Sequence, residues 1–247
     1  MKKSILTVAA FWIFMLAQLA NAQDKDGLSV GFVALSSQSA YTSSATNRLL
    51  PSLRYQSGPL SIGLPDGIKY RFAQNERISG AVVLKALVAP YNSGDADQLS
   101  GMKRDMGFDA GITADFIIVR GTTLSIALAQ SIGGQDRGQS LRFALRQFVP
   151  GLGFPVFFTA GAQMLDQKRG NYRFGVGTNE ATADRAAYDV KSASLPFIGL
   201  NAIYPLNDRW SMIANAAQTF LPDTVQKSPI VKTSRVSSLM LGVSYRF

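Results

Sequence analysis

The last eleven residues, Ser237 to Phe247, read SSLMLGVSYRF and keep a two-residue alternation up to the final aromatic. Leu239, Leu241, Val243, Tyr245 and Phe247 fall on one face of an extended strand; Ser238, Met240, Gly242, Ser244 and Arg246 fall on the other, because successive strand side chains point to opposite sides. Few water-soluble sheets end a chain this way. A transmembrane barrel does, because its closing strand meets lipid outside and a polar lumen inside. The feature predicts an all-β chain whose last element seals the sheet.

At the other end, Lys2 and Lys3 precede an apolar run from Ile5 to Leu16 that only Thr7 interrupts, and Ala20-Asn21-Ala22 is a small-x-small cleavage site. This is the pattern of a secretory signal peptide, and its apolar core is well short of the roughly 20 residues a spanning helix needs. Residues 1–22 are therefore read as cleaved and 23–247 as one domain. Gln23, where a Cys would be needed, leaves no lipid anchor on the new N-terminus. Later apolar stretches are short, and each carries polar residues at every second position or breaks at Gly or Pro. An exported chain of this kind is either a soluble periplasmic domain or an outer-membrane barrel.

Composition narrows the chemistry. There is no Cys, so no disulfide staples the fold. There is no His, which removes hydrolases built on Ser-His pairs and His-based zinc sites. No Asp or Glu pair stands in a recognisable catalytic context, so neither catalysis nor a cofactor or metal is expected. Lys and Arg number 25 against 16 Asp and Glu. That excess suits anionic partners in the envelope, such as lipopolysaccharide phosphates, murein or anionic solutes, and nothing in it calls for nucleic acid.

Period-two segments recur from Leu28 onward, separated by turn residues, and about twelve can be counted. The pair 60–63 and 68–72, joined by Pro65-Asp66-Gly67, is shorter than the roughly 9–11 residues of a spanning strand, which leaves ten strands as the alternative. Starting upward at Leu28, the long connections near 36–47, 90–104, 133–138, 166–192 and 221–236 fall outside. The short ones at 57–59, 74–76, 120–121, 150–153 and 206–208 fall inside, so both termini are expected to be periplasmic. The fold expected is a transmembrane antiparallel up-and-down β-barrel. Phe148, Phe154, Tyr204, Trp210 and Phe247 flank the short-turn ends, where aromatic rings favour the headgroup level.

In this register Arg48, Arg54, Lys69, Arg71, Lys85, Arg142, Arg146 and Arg246 point inward with Asp109 and Asp115. A lumen so lined is net positive and favours anions, unless the charges pair across a filled interior. Loop 166–192 is the longest and carries Lys168, Arg169, Arg173, Glu180, Asp184 and Arg185. It is either a surface for recognition or a lid over the mouth, and segment 222–231, stiffened by Pro222 and Pro229, can act likewise.

Three stretches resemble one family, the MltA-interacting proteins, also called MipA/OmpV. They are Leu99-Ser100-Gly101-Met102-Lys103-Arg104, then Tyr172-Arg173-Phe174-Gly175-Val176 with the Ala-rich run to Tyr188, and Leu221-Pro222-Asp223 leading to Ser228-Pro229-Ile230-Val231. Residues 131–138 match the family's glycine-bearing hairpin only loosely. The resemblance implies an outer-membrane barrel without catalytic residues. The role it implies is scaffolding, holding a murein hydrolase near a murein synthase; porin-like and adhesive roles are its alternatives. By the same likeness, Tyr245 and Phe247 are expected to be read by the barrel-assembly machinery.

Overall fold

The computed structural model describes residues 26–42, 45–64, 66–134 and 136–247. The signal segment and its cleavage site lie outside the described residues. Twelve antiparallel strands close on themselves: β1 (Gly27–Gln38), β2 (Ala45–Ser57), β3 (Leu60–Leu64), β4 (Gly67–Gln74), β5 (Ile78–Leu87), β6 (Gly107–Val119), β7 (Thr122–Ile132), β8 (Gln139–Val149), β9 (Val156–Leu165), β10 (Ala193–Pro205), β11 (Trp210–Phe220) and β12 (Arg235–Arg246). Each strand pairs with its sequence neighbours, and β12 returns to β1 from Ser29↔Arg246 to Ser37↔Ser238. Closure removes every full-length edge, which an apolar solvent demands because it satisfies no backbone group.

The alternation seen in the sequence sorts side chains through the wall. On β7, Leu128 and Ile132 face out while Ser125, Ala127, Ala129 and Ser131 are buried inside. On β12, Leu239, Leu241 and Phe247 are exposed, whereas Ser238 and Met240 are buried. The outer surface is thus a belt of Leu, Ile, Val and Phe. Around one end its aromatics meet in pairs. Phe148 lies 5.7 Å from Phe157, Phe154 lies 5.3 Å from Tyr204, and Tyr245 lies 5.0 Å from Trp210 and 4.9 Å from Phe247.

That end carries both termini and the short turns, such as Arg120–Gly121, where Gly121 takes a φ of +84° that residues with a Cβ rarely adopt. The opposite end carries the long connections. They are somewhat shorter than read from sequence at 39–44, where β1 and β2 extend further, and longer at 88–106.

The short hairpin is present, so the count is twelve and not ten. It stops low in the wall. β3 reaches β2 only up to Leu53↔Leu64, and β4 reaches β5 only up to Ile68↔Leu84. Above it, Ala45–Ser52 of β2 pairs only with β1, and Lys85–Leu87 of β5 only with β6. Pro51 lies in that one-sided stretch, where a residue without an N–H is tolerated. Asp66 at the hairpin tip accepts an ion-paired hydrogen bond from Arg54 Nη2 on β2 and ties the tip to the wall.

Candidate functional site: a loop-built cap in the barrel mouth

The long connections fold into the mouth and build a core there. Tyr41 and Tyr91 from the first two long loops, Leu99 and Met102 from the second, Phe174, Val176 and Val190 from the loop after β9, and Leu221, Val225, Ile230 and Val231 from the last are all buried together. They pack on inward-facing wall residues, among them Ala144, Leu165, Leu195, Phe197, Ala217 and Val236. The cap therefore sits inside the barrel. Twelve strands enclose more space than the eight-stranded barrels whose wall side chains alone fill the interior, and the loops supply the missing volume.

The stretch after β9, read from sequence as loop, contains a helix, α1 (Gln167–Phe174). Asp166 caps it by accepting the Arg169 N–H at 2.8 Å. Its inner face buries Arg169, Tyr172, Arg173 and Phe174, so Arg169 and Arg173 are not the exposed loop charges expected of a recognition surface. A short second helix, α2 (Asp223–Gln226), buries Val225 in the same core.

Arg169 fastens the cap to the wall. It is 0% exposed. Nη2 and Nη1 donate to the two carboxylate oxygens of Asp109 on β6 at 2.5 and 3.1 Å, and Nη1 also reaches Ser140 Oγ on β8 at 3.0 Å. Nε lies 3.1 Å from Asp136 Oδ2 as an ion pair, without hydrogen-bond alignment. Burial pushes the Asp136 carboxyl above its usual value despite Arg169. Gly138 lets the helix come this close, since a Cβ there would lie 2.3 Å from the Arg169 backbone nitrogen.

Two more arginines stitch loop to loop. Arg185, also buried, gives Nη1 to the carbonyls of Gln98 and Ser100 at 2.8 and 3.0 Å and Nε to that of Glu180 at 3.0 Å. Arg104 holds the Tyr172 carbonyl at 2.7 Å and grips both oxygens of Glu180 at 2.6 and 3.0 Å. Burial pushes the Tyr172 phenol up to about 12. The Arg104 hydrogen bond outweighs burial at Glu180 and holds its carboxyl below the usual range.

The lowered Glu180 sets a pH dependence. Its stabilisation is in full force above the ordinary value of 4.5 and is lost as pH falls through the lower folded value. Hydrogen exchange of residues 176–188 between pH 3 and 6 is expected to accelerate at the acid end. Glu180→Gln should flatten that profile, and an unchanged profile in the variant would contradict the clamp.

The three family-like stretches meet in this cap although about 130 residues separate the first from the last. Gly101 turns the chain with a φ of +78° and places Met102 against Tyr91, whose hydroxyl donates to its sulfur at 3.9 Å. Phe174, Gly175 and Val176 are buried beside it, and Ser228 Oγ donates to the Phe174 carbonyl at 2.5 Å. Pro229 is half-buried and leads into buried Ile230 and Val231. Tyr41 completes the junction by donating to the Arg173 carbonyl at 2.8 Å.

The charges expected to face the lumen lie on the inner faces of their strands but share no common field. Arg54 is tied to Asp66, and Arg48 is attracted by Asp95. Lys85 stands opposite Asp109 in register, while Asp109 itself is held by Arg169. Asp115 accepts from Ser125 Oγ at 2.5 Å, and Arg146 lies 5.0 Å from the Phe157 ring. Lys69 borders a small inner cavity with Lys85. Arg71 donates to Gln74 at 2.7 Å and Arg246 to the Asp208 carbonyl at 2.8 Å, both at the short-turn end. Arg142 lies over Phe197 at 3.8 Å. Phe247 is 71% exposed, packs on Tyr245, and donates its N–H to the Leu28 carbonyl at 3.0 Å.

Arg104, Asp136, Tyr41 and Tyr91 carry no periodicity and were invisible as a group in the sequence. For α1 a local signal did exist: Asp166, an N-cap residue type, stands at the start of the helix.

A closed antiparallel barrel with an apolar outer belt and a polar-to-small inner face is a transmembrane β-barrel, here with its loops folded into one mouth. The chain belongs to the family described as MltA-interacting protein MipA, which matches residues 30–247. Outer membrane protein OmpV of Vibrio cholerae is 30% identical over 185 residues, 73% of this chain and 71% of that protein. The MltA-interacting protein of Escherichia coli K12 is 30% identical over 88 residues, 35% of this chain and 36% of that one. Among solved structures, that of the NanC porin aligns with a TM-score of 0.48 at 9% identity, covering 89% of this chain and 100% of that chain.

Proposed function

We propose that this protein is an outer-membrane barrel that serves as an interaction scaffold for murein-remodelling enzymes and not as an open pore or an enzyme. The observation that carries the reading is the cap: an apolar core with buried ion pairs occupies the mouth, where a channel needs water. The family and the names of its relatives support the location, and the name MltA-interacting, borne by the E. coli relative over about a third of each chain, supports the partner class.

With the signal segment removed and both termini periplasmic, the short-turn end faces the murein. That rim is basic, with exposed Arg77, Arg120 and Arg209 and half-exposed Arg246, and it suits an acidic partner surface. Lipopolysaccharide and lipid surround the belt, and the assembly machinery reads the terminal Tyr245–Phe247 pair during insertion.

Affinity capture on the tagged protein from native envelopes tests the reading. The wild type is expected to retain a lytic murein hydrolase and its synthase partner, and the triple change Arg77→Gln, Arg120→Gln, Arg209→Gln is expected to release most of both. Recovery of neither enzyme by the folded wild type would overturn the scaffold. Equal recovery by both proteins would move the contact off this rim.

A further inference from the structure

Arg142 on β8 is 6% exposed, and nothing among the described residues accepts a hydrogen bond from its Nε or Nη2. One face of the guanidinium covers Phe197 at 3.8 Å, but that contact leaves the Nε–Nη2 edge unengaged. Its in-register neighbours, Ala127 on β7 and Gln163 on β9, bring no charge. The buried acids of the mouth, Asp109 and Asp136, are both taken by Arg169. Lys85, also buried, feels Arg142 and Arg169 as like charges. The interior beneath the cap therefore buries Lys85, Arg142, Arg169 and Arg173 against Asp109 and Asp136.

An ion withdrawn from water without a partner is strongly disfavoured, so buried charges are paired. Here the counter-charge is missing from the chain itself. The two open donors are the side-on edge of the guanidinium, whose parallel N–H groups match two oxygens of one planar or tetrahedral oxyanion. A halide, with one centre, cannot use both in that way. On the Ala127 side a cavity of about 40 Å3, bordered by Lys69, Lys85 and Thr113, offers more than the space of one water.

We propose that the Nε–Nη2 edge of Arg142 binds a small oxyanion, a carboxylate, phosphate or sulfate, inside the lumen beneath the cap. The site is a resident-ligand position in a closed barrel and not a step along a conduction path. It rests on Arg142 alone and is independent of any contact at the short-turn rim.

Thermal unfolding of the full protein in lipopolysaccharide-free detergent tests this, in chloride and in acetate, phosphate or sulfate at equal ionic strength. Phosphate and sulfate strengthen burial in general, so the readout is the difference between wild type and Arg142→Met. Saturating oxyanion is expected to raise the wild-type midpoint by about 5 °C more than that of the variant. In chloride the variant should be at least as stable as the wild type, since an apolar side chain replaces an unpaired charge.

Equal shifts in both proteins, or a variant less stable than wild type in chloride, would overturn the proposal. Arg142→Lys keeps the charge and loses the fork; it is expected to fold and to lose the oxyanion-specific shift, and it carries the comparison if the Met variant does not fold. A shift seen only on adding lipopolysaccharide would overturn the free-oxyanion ligand in favour of a lipid phosphate. Failure of any of these outcomes leaves the scaffold reading standing, because that reading is measured by enzyme capture.

Discussion

Replacing Arg169 by Met is expected to destabilise the cap by about 3–5 kcal/mol, the cost of leaving one side of a buried ion pair uncompensated. Two carboxylates depend on this guanidinium, Asp109 through a two-point hydrogen bond and Asp136 at 3.1 Å. The barrel wall should survive, because its strand ladder does not involve Arg169. The loss is therefore expected in the cap: trypsin should cut within 168–191 at rates far above wild type while the folded barrel keeps its fast mobility in unheated detergent gels.

Adding Asp109→Asn to Arg169→Met should recover part of the loss, since the stranded charge goes with it. Gly138→Ala should reproduce the loosening with every charge in place, because its Cβ would meet the α1 backbone at 2.3 to 2.7 Å. Wild-type protease resistance in both Arg169→Met and Gly138→Ala would show that the cap is held by its apolar core alone.

In planar bilayers the wild-type protein is expected to give no conductance steps, and a chain in which residues 168–190 are replaced by a short Gly-Ser link is expected to conduct. The removed segment carries Arg169, Phe174, Val176, Arg185 and Val190, all buried in the mouth. Its loss leaves Leu99, Met102 and Ile230 without their cover, and twelve strands around the space that remains exceed what wall side chains can fill. Regular steps from the wild type would end the closed-barrel reading. Silence from the truncated chain would place the seal lower, at the inward cluster of Val33, Leu35, Ile203, Ile213 and Met240.

The wall was legible because each strand states its own pattern. Leu124, Ile126 and Leu128 alternating with Ser125 and Ala127 can be read without knowing the neighbours, and the sorting of long and short connections follows from an even strand number. The short hairpin was the weak place for the same reason. Residues 60–64 and 67–74 are too brief to declare a span, and only their pairing with β2 and β5 settles them as strands.

The cap was not legible in that way. The three family-like stretches were visible as separate strings, and their residues turn out to be one packing unit. Arg169 and Arg185 look in sequence like solvated loop charges beside Lys168 and Asp184. Their burial depends on acceptors at Asp109, Asp136, Gln98 and Ser100, which no local pattern ties to them.

By itself, then, the order of residues determined a twelve-stranded barrel with a lipid-facing exterior, because period-two alternation is a local consequence of strand geometry and one solvent is apolar. Only the tertiary structure decided what fills the barrel. Which cation finds which carboxylate, and which loops share a core, depends on closing the sheet and bringing positions as far apart as Tyr41, Met102, Phe174 and Ile230 into contact. The same closure makes Arg246, the inward charge of the terminal strand, a rim residue bonded to Asp208, and leaves Arg142, deeper in the wall, without a partner from the chain.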